Sequence, residues 1–426
     1  MAETLLKDAR DALRWMRRSP GFSAVAILSL GLGVGVNTAM FSLVDAVRSD
    51  RVGARPQGDA GCGGARELRS CPVRDARRSD VGAANGIALP HERASDILSV
   101  RMKTLLKILA GLVVLLLVVA GCGFGYLMFA FPKVPPPPSA KFDTSPERLA
   151  RGEYLTEHVV GCSTCHTQRD WTKFSGPAKR ELLGAGSEPF DLGAAGFLYS
   201  KNITPAGIGS WTDGELLRAV TQGVSKDGTP LFPLMPYPHF GAMSEEDVHA
   251  VLAYVRTWKA IEGVPPARRL SFPLNLIVRT MPEANTYQAR PSPDDKVAYG
   301  KYMTRSAMCS DCHTPIDDRG TPLPGMDFAG GMEFVETGYR VRSANITPDA
   351  NTGIGSWTEQ QFIDKFKGFE TPSNAPLSES ERKQNTVMPL TAYAGMTRDD
   401  LSAIYAYSRT LKPVTNRIDR FPDANK

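Results

Sequence analysis

The chain has 426 residues, of which 42% are hydrophobic and 22% charged, so it has enough apolar material for more than one folded domain. The formal net charge of +5 is uneven, because residues 1–140 carry 18 basic and 11 acidic side chains whereas residues 141–426 carry 32 and 34. A nucleic-acid binder usually carries its excess positive charge on the folded domain, so we expect no nucleic-acid partner. The seven Cys are an odd total without a dense, even-numbered framework, which argues against a small scaffold held together by disulfides.

The first hundred residues divide into two regions. Residues 1–48 contain a charge-free run over 19–44 that is long enough to cross a bilayer. The sequence ALRWMRRSPGFSAVAILSLGLGVGVNTAMFSLVDAV resembles the N-terminus of an ABC permease of the macrolide-exporter type. The resemblance stops there, before any of the further spans or the ATPase that transport requires. Residues 49–100 show no helix or strand period, and we expect them to be irregular or disordered.

Residues 101–131 have the pattern of a transmembrane signal-anchor. Arg101, Lys103 and Lys107 precede a long uncharged run, and a stiff Pro-rich linker follows over 132–140. We therefore expect one anchor helix in the cytoplasmic membrane, with the chain after it on the periplasmic or outer face.

Two features of the N-terminal half leave alternatives open. If the span in 1–48 also inserted, the basic flanks would leave the rest of the chain in the cytoplasm, so our hypothesis is that the working protein starts at Met102. The sequence VAGC over 119–122 resembles a lipoprotein cleavage box, and a lipid on Cys122 is the alternative to an uncleaved span.

Residues 141–426 contain an internal repeat. SPERLARGEYLTEHVVGCSTCHT recurs as SPDDKVAYGKYMTRSAMCSDCHT, and NITPAGIGSWT recurs later as NITPDANTGIGSWT. We expect two homologous domains, 141–260 and 292–416, with a connector over 261–291 and a tail over 417–426. The apolar spacing predicts helices almost throughout, so the expected fold class is all-α, with two tandem domains behind the anchor helix.

Local signals predict where several helices begin. Ser145-Pro146 and Ser292-Pro293 each have the pattern of an N-cap followed by Pro at the first helical position. Two further pairs have the spacing of capping boxes, namely Thr212 with Glu215 and Thr358 with Gln361.

Each repeat contains one C-x-x-C-H sequence, the attachment pattern of c-type haem. The residues are Cys162, Cys165 and His166 in the first repeat and Cys309, Cys312 and His313 in the second. Two thiols three positions apart reach the two vinyl groups of one porphyrin, and the adjacent His supplies a nitrogen to the iron. We therefore expect two haem c groups. The alternatives are a four-cysteine zinc site or a redox dithiol, which are disfavoured because each Cys pair has its own His.

The second iron ligand is expected later in each repeat, where thioether sulfur is the usual partner of His in electron-carrying cytochromes c. Met243 and Met396 directly precede helix N-caps, where an apolar side chain packs on the first turn. Met235 and Met388 are followed by Pro in loops, and we predict that these two bind the irons. The alternative ligands are His158, His239 and His249.

Four further residues are predicted to contact the cofactor. Trp211 and Trp357 occupy equivalent repeat positions, where an indole can wall a haem cleft and donate its N–H to a propionate; core packing is the alternative. Asn202 and Asn345 begin the NITP segments and are turn residues first and propionate neighbours second.

With these motifs, residues 141–426 resemble the class I cytochrome c family. They are more closely similar to the membrane-bound cytochrome c subunits that accept electrons from periplasmic alcohol and gluconate dehydrogenases. The resemblance is carried by C-x-x-C-H, by NITP…GIG-W-T and by MPY…M-(S/T)-x-(E/D)-D…AY. Those subunits carry three haem motifs, whereas this chain has two.

The resemblance implies a membrane-anchored dihaem cytochrome that transfers single electrons between a dehydrogenase or quinone-linked donor and a terminal acceptor. Its expected partners are a dehydrogenase, a quinol-linked complex or a terminal oxidase. It implies an electron carrier or an electron-transfer subunit rather than a catalyst on its own. The alternative function is that of a dihaem peroxidase or other haem oxidoreductase, which requires one open iron site.

Overall fold

The computed structural model describes residues 90–317, 320–336, 338–371, 373 and 375–422. The permease resemblance, the first hydrophobic span and the irregular region up to residue 89 lie outside the described residues. The start of the working protein at Met102 stays a hypothesis.

A long helix, α1, covers Pro90–Ala130. Residues 90–100 were expected to be irregular, but they are helical and continue directly into the anchor. Among the residues that the structure describes, Val100–Ala130 is the one helix long and apolar enough to cross a membrane, and its most apolar stretch is not covered by the rest of the protein. The helix ends just before Pro132, because the residue preceding a Pro is disfavoured in the α conformation.

The remaining helices of the described chain are shorter. Those of eight or more residues are α2 (Pro146–His158), α5 (Asp213–Gln222), α7 (Glu245–Val255), α9 (Lys296–Ser306), α11 (Glu359–Lys367) and α14 (Arg398–Ser408). Those of four or five residues are α3 (Cys162–Cys165), α4 (Pro205–Ile208), α6 (Tyr237–Phe240), α8 (Leu274–Ile277), α10 (Cys309–His313), α12 (Glu379–Arg382) and α13 (Leu390–Tyr393). Single 3₁₀ turns cover Arg180–Leu182, Gly193–Ala195 and Val278–Thr280.

Short strands form two small antiparallel sheets in the described residues. One sheet has the order β1 (Pro189–Asp191), β2 (Gly196–Tyr199), β3 (Arg269–Leu270), and the other pairs β4 (Glu333–Glu336) with β5 (Tyr339–Arg342). The sequence does not predict these strands, because two to four residues are too few to show an alternating pattern. In the described residues helices outnumber strands, but the class all-α is not confirmed.

The first and last helices of each repeat cross at very short distance. α2 packs on α7 at Gly152, where an added Cβ would lie 2.0 Å from the carbonyl oxygen of Ala250. α9 packs on α14 at Gly300, where an added Cβ would lie 1.9 Å from the carbonyl oxygen of Ala403. Only glycine fits at both crossings, so the two repeats build the same helix pair in the same way.

Three of the predicted helix starts agree with the structure and one does not. Capping boxes are present at Thr212 and Thr358, and α2 begins with Pro146 at its first position. The prediction for Ser292 was wrong, because α9 starts at Lys296 and is capped by the side chain of Asp295, which accepts the N–H of Ala298. Asp is as good an N-cap as Ser, and it lies nearer to the first apolar turn.

The two repeats share one hydrophobic core. Leu155 and Val248 from the first repeat and Met303 and Leu401 from the second belong to the same cluster, and each is at most 2% exposed. The arrangement as two tandem domains therefore stays a prediction, while the structure shows two similar halves packed on a common core.

Candidate functional site

Both C-x-x-C-H segments form a single helical turn. α3 and α10 each follow a residue in the left-handed conformation, Gly161 with φ 69° and Met308 with φ 55°. Residues three apart in a helix lie on one face, so the two thiols of each motif point to the same side. The four cysteines of the motifs form no disulfide within the described residues. Each motif therefore offers two thiols on one face with a His directly after them.

The imidazole is held in the same way in both repeats. Nδ1 of His166 lies 2.8 Å from the carbonyl oxygen of Lys201, and Nδ1 of His313 lies 2.7 Å from that of Ala344. A carbonyl oxygen only accepts, so Nδ1 is the donor and the neutral ring carries no hydrogen on Nε2. Burial lowers the pKa of both His side chains, which favours this neutral form. Each His thus offers Nε2 as an oriented metal ligand.

The carbonyl that orients each His belongs to a turn built by the following Asn. Oδ1 of Asn202 accepts the N–H of Thr204 at 3.0 Å, and Oδ1 of Asn345 accepts that of Thr347 at the same distance. These turns are the first role that the sequence predicted for the two Asn.

The amide groups of both Asn side chains are also engaged as donors. Nδ2 of Asn202 donates to the carbonyl of Ile261 and Nδ2 of Asn345 to that of Val414, both at 2.8 Å. A contact of either Asn with a cofactor stays a prediction. The side chains of Lys201 and Ala344 give no sign of their role, because both residues act through backbone oxygens. The one sequence feature that marks them is their position directly before each NITP segment.

In each repeat, one further backbone hydrogen bond closes the loop around the His. The N–H of Gly186 donates to the carbonyl of His166 at 2.8 Å, and the N–H of Gly330 donates to that of His313 at 2.7 Å. The two halves of the chain therefore hold their His residues with the same set of backbone contacts.

The four methionines fall into two structural classes. Met243 and Met396 are each 2% exposed and lie in the core cluster, directly before the N-caps of α7 and α14. Met235 and Met388 are half-buried in the loops before α6 and α13, and each carbonyl accepts an N–H two residues further on. The structure thus places Met243 and Met396 where the sequence predicted packing. Iron ligation by Met235 and Met388 stays a prediction.

The loop that carries Met388 is held by the other repeat. Oγ of Ser175 donates to the carbonyl of Met388 at 2.6 Å and accepts the N–H of Leu390 at 2.9 Å. The N–H of Ser175 donates to Oδ1 of Asn385 at 2.8 Å, and Ser175 is fully buried. The sequence alone does not point to Ser175, because its partners are more than 200 residues away along the chain.

The two predicted Trp residues are half-buried against the core cluster. The carbonyl of Trp211 accepts a bond from Arg256, and that of Trp357 accepts one from Oη of Tyr405 at 2.7 Å. Within the described residues neither indole N–H has a hydrogen-bond acceptor. The use of either indole N–H by a cofactor stays a prediction.

The three alternative His ligands have other partners. Nδ1 of His158 lies 3.0 Å from the carbonyl of Ala392, and Nε2 of His239 lies 2.8 Å from Oδ1 of Asp311. The ring of His249 packs edge-on against Phe142 at 5.3 Å between centroids. These contacts give each of the three side chains a structural role.

The two repeats meet at the second motif, where Nε2 of His239 lies 2.8 Å from Oδ1 of Asp311. Burial raises the pKa of Tyr393 well above its usual value, and thiols of both motifs, Cys309, Cys312 and Cys165, add to this effect. Oη of Tyr393 donates to the carbonyl of Ala307 at 2.9 Å, just before the second motif. This hydrogen bond places Tyr393 beside the second motif.

Each motif offers two Cys and one His as donors. In the described ranges, no group of three or more His, Cys, Asp and Glu side chains is placed to hold a metal ion. The donor set fits haem c, since each motif combines two thiols with an oriented imidazole nitrogen.

No family model matches the chain. The chain is 30% identical over 294 residues to the cytochrome c subunit of the alcohol dehydrogenase (quinone) of Komagataeibacter europaeus, covering 64% of this chain and 58% of that protein. It is 27% identical over 288 residues to the cytochrome c subunit of gluconate 2-dehydrogenase from Pantoea cypripedii, covering 62% and 59%. This chain resembles these cytochrome c subunits.

A third relative bears on the number of haem groups. The diheme cytochrome c-type protein of Cereibacter sphaeroides is 26% identical over 208 residues, which is 47% of this chain and 67% of that protein. The expected resemblance to cytochrome c subunits of dehydrogenases is confirmed. The chain spans less than two thirds of the length of the two dehydrogenase subunits.

Proposed function

We propose that the chain is a membrane-anchored dihaem c-type cytochrome that transfers single electrons between a dehydrogenase or quinone-linked donor and a terminal acceptor. The observation that carries this proposal is the twofold C-x-x-C-H turn in which a backbone carbonyl holds Nδ1 of each His. The cytochrome c relatives support it. The contact between the repeats at the second motif, where His239 of the first repeat lies 2.8 Å from Asp311, supports electron transfer between two haem groups within one chain.

The residues of the chain have distinct roles in this proposal. The four motif cysteines hold the porphyrins as thioethers, His166 and Met235 bind one iron, and His313 and Met388 bind the other. Haem supplies the one-electron iron chemistry when it is bound. The protein sets the reduction potential through the axial ligands, burial and hydrogen bonds.

The partner and the location are also proposals. Relatives that are subunits of dehydrogenases support a dehydrogenase as the electron donor, and a quinol-linked complex or terminal oxidase is the partner on the other side. The exposed apolar helix Val100–Ala130 supports one membrane anchor, with the haem-binding region on the outer face of the cytoplasmic membrane.

A spectrum and a haem count of the full chain, produced with c-type maturation and purified in detergent, test the proposal. We expect two haem groups per chain by pyridine haemochrome, a Met–iron charge-transfer band from both, and no binding of carbon monoxide. One haem that lacks the band and binds carbon monoxide would favour the peroxidase-like alternative. A chain without covalent haem would overturn the proposal.

A further inference from the structure

The connector between the repeats is fixed to the end of the apolar helix. The guanidinium of Arg279 donates from Nη2 to the carbonyls of Met128 at 3.0 Å and Phe131 at 2.7 Å, and from Nε to that of Leu127 at 3.2 Å. The last carbonyls of a helix lack partners within it, and a positive charge is favourable there. The connector therefore lies at the level where α1 ends.

The residues that lead to Arg279 present apolar side chains to the outside. Phe272 is 79% exposed and Ile277 is 44% exposed, whereas Val278 is fully buried. The stretch 270–278, LSFPLNLIV, contains no charged residue. One side of this segment thus packs on the protein through Val278, and the other leaves large apolar side chains uncovered.

The position of this segment beside the end of α1 indicates what covers its exposed apolar side chains. The apolar side chains of α1 remain exposed to its end, with Phe129 94% exposed, so the hydrocarbon of a spanned bilayer reaches this level. Arg279 fixes the connector to the end of α1, so Phe272 and Ile277 lie near that end. Exposed apolar side chains at the boundary of a bilayer are stabilised by the headgroup and upper acyl region.

We propose that residues 271–277, which we call the interfacial segment, insert their apolar side chains into the phospholipid layer beside the end of α1. The occupant of this face is the bilayer itself. The inference rests on the proposed membrane span of α1. It adds the interfacial segment to the helix as a second attachment of the haem-binding region to the membrane, and so restricts how that region tilts on the surface.

Photo-crosslinking to lipid tests the proposal on the full chain in phospholipid nanodiscs. p-Benzoylphenylalanine replaces one residue at a time: Phe272 and Ile277 in the interfacial segment, Phe129 in α1, and Val335 in β4. Val335 is 63% exposed and serves as the matched control for an exposed apolar side chain elsewhere. Phe272 and Ile277 lie in one tryptic peptide, 270–279, so a lipid adduct is read directly as a mass shift of that peptide.

We expect lipid adducts at 129, 272 and 277 and none at 335. Adducts at 129 without adducts at 272 and 277 would overturn the interfacial segment while leaving the span intact. No adduct at 129 would overturn the span and the inference together, and equal adducts at 335 and 272 would remove the claim of a specific contact. Arg279→Gln removes the tryptic site at 279, so in this variant the adduct is read on the peptide 270–296. It should reduce the adduct at 272 several-fold and leave that at 129 unchanged; an unchanged adduct at 272 would contradict the role of Arg279.

Discussion

Oη of Tyr302 donates to Oδ2 of Asp247 at 2.6 Å across the boundary between the two repeats. Oη of Tyr302 also accepts the N–H of Ser244, the N-cap of α7, at 3.4 Å. The equivalent contact is made in the other direction, since Tyr154 donates to Asp400 and accepts the N–H of Thr397, the N-cap of α14. Each repeat thus supplies a Tyr hydroxyl that hydrogen-bonds to the first turn of the last helix of the other repeat.

This reciprocity predicts that damage to one repeat destabilises both. Tyr302→Phe removes one hydrogen bond to a buried charged group, which typically contributes about 1.5–3 kcal/mol. We expect a loss of this size in the free energy of unfolding, measured by urea titration of far-UV circular dichroism. The transition should remain single, because the two halves share a core.

Tyr199→Phe is the control for this change, because the hydroxyl of Tyr199 has no hydrogen bond within the described residues. We expect less than about 0.5 kcal/mol of change there. Two separate unfolding transitions, with only one shifted by Tyr302→Phe, would show that the halves are independent domains.

The surroundings of Asp247 predict that the free energy of unfolding depends on pH. Burial alone would raise the pKa of this fully buried carboxyl, but hydrogen bonds and charge from Arg151, a hydrogen bond from Tyr302 and the charge of Arg290 outweigh it and lower the pKa. The carboxylate therefore contributes stability that is complete above the unfolded pKa of about 3.9 and is lost as the pH falls through the lower native value.

Asp247→Asn should destabilise the protein at pH 7 by about 3 kcal/mol, since it removes the buried charge that pairs with the half-buried Arg151. The difference between the variant and the parent should shrink as the pH falls below about 4, and urea unfolding at several pH values measures it. Asp399→Asn, at an exposed position of α14, is the control and should follow the parent. A pH-independent difference would contradict this assignment.

The sequence predicts those features of the site that are local along the chain. The C-x-x-C-H turns, the NITP turns and the capping boxes at Thr212 and Thr358 each depend on residues within four positions of each other. The carbonyl of Lys201 escapes such an analysis, because any residue type supplies the same oxygen. Ser175 escapes it because its partners are more than 200 residues away.

The methionine assignment predicts a spectral difference between two substitutions of the same kind. Met235→Leu removes the proposed thioether ligand, so we expect one of two haem groups to lose its charge-transfer band and to gain carbon monoxide binding. Met243→Leu changes a core side chain that is 2% exposed and nearly conserves its volume. It should keep both bands and cost less than about 1.5 kcal/mol of stability.

The optical spectrum of each purified variant measures this, together with urea unfolding. Loss of a band in Met243→Leu, with both bands kept in Met235→Leu, would reverse the assignment in the first repeat. The same pair of changes at Met388 and Met396 tests the second repeat.

Ser175 predicts that one repeat controls the iron ligand of the other. Ser175→Ala removes one of the two hydrogen bonds of the Met388 carbonyl and of the Leu390 N–H, which then keep their bond to each other, at a cost of about 0.5–1.5 kcal/mol. The loop then holds Met388 less firmly, so we expect imidazole to displace the ligand several-fold more readily at one haem while the other is unaffected. Imidazole titration of the charge-transfer band measures this. Ser139→Ala, at an exposed linker position, should match the parent, and equal weakening at both haem groups would contradict a specific hold on Met388.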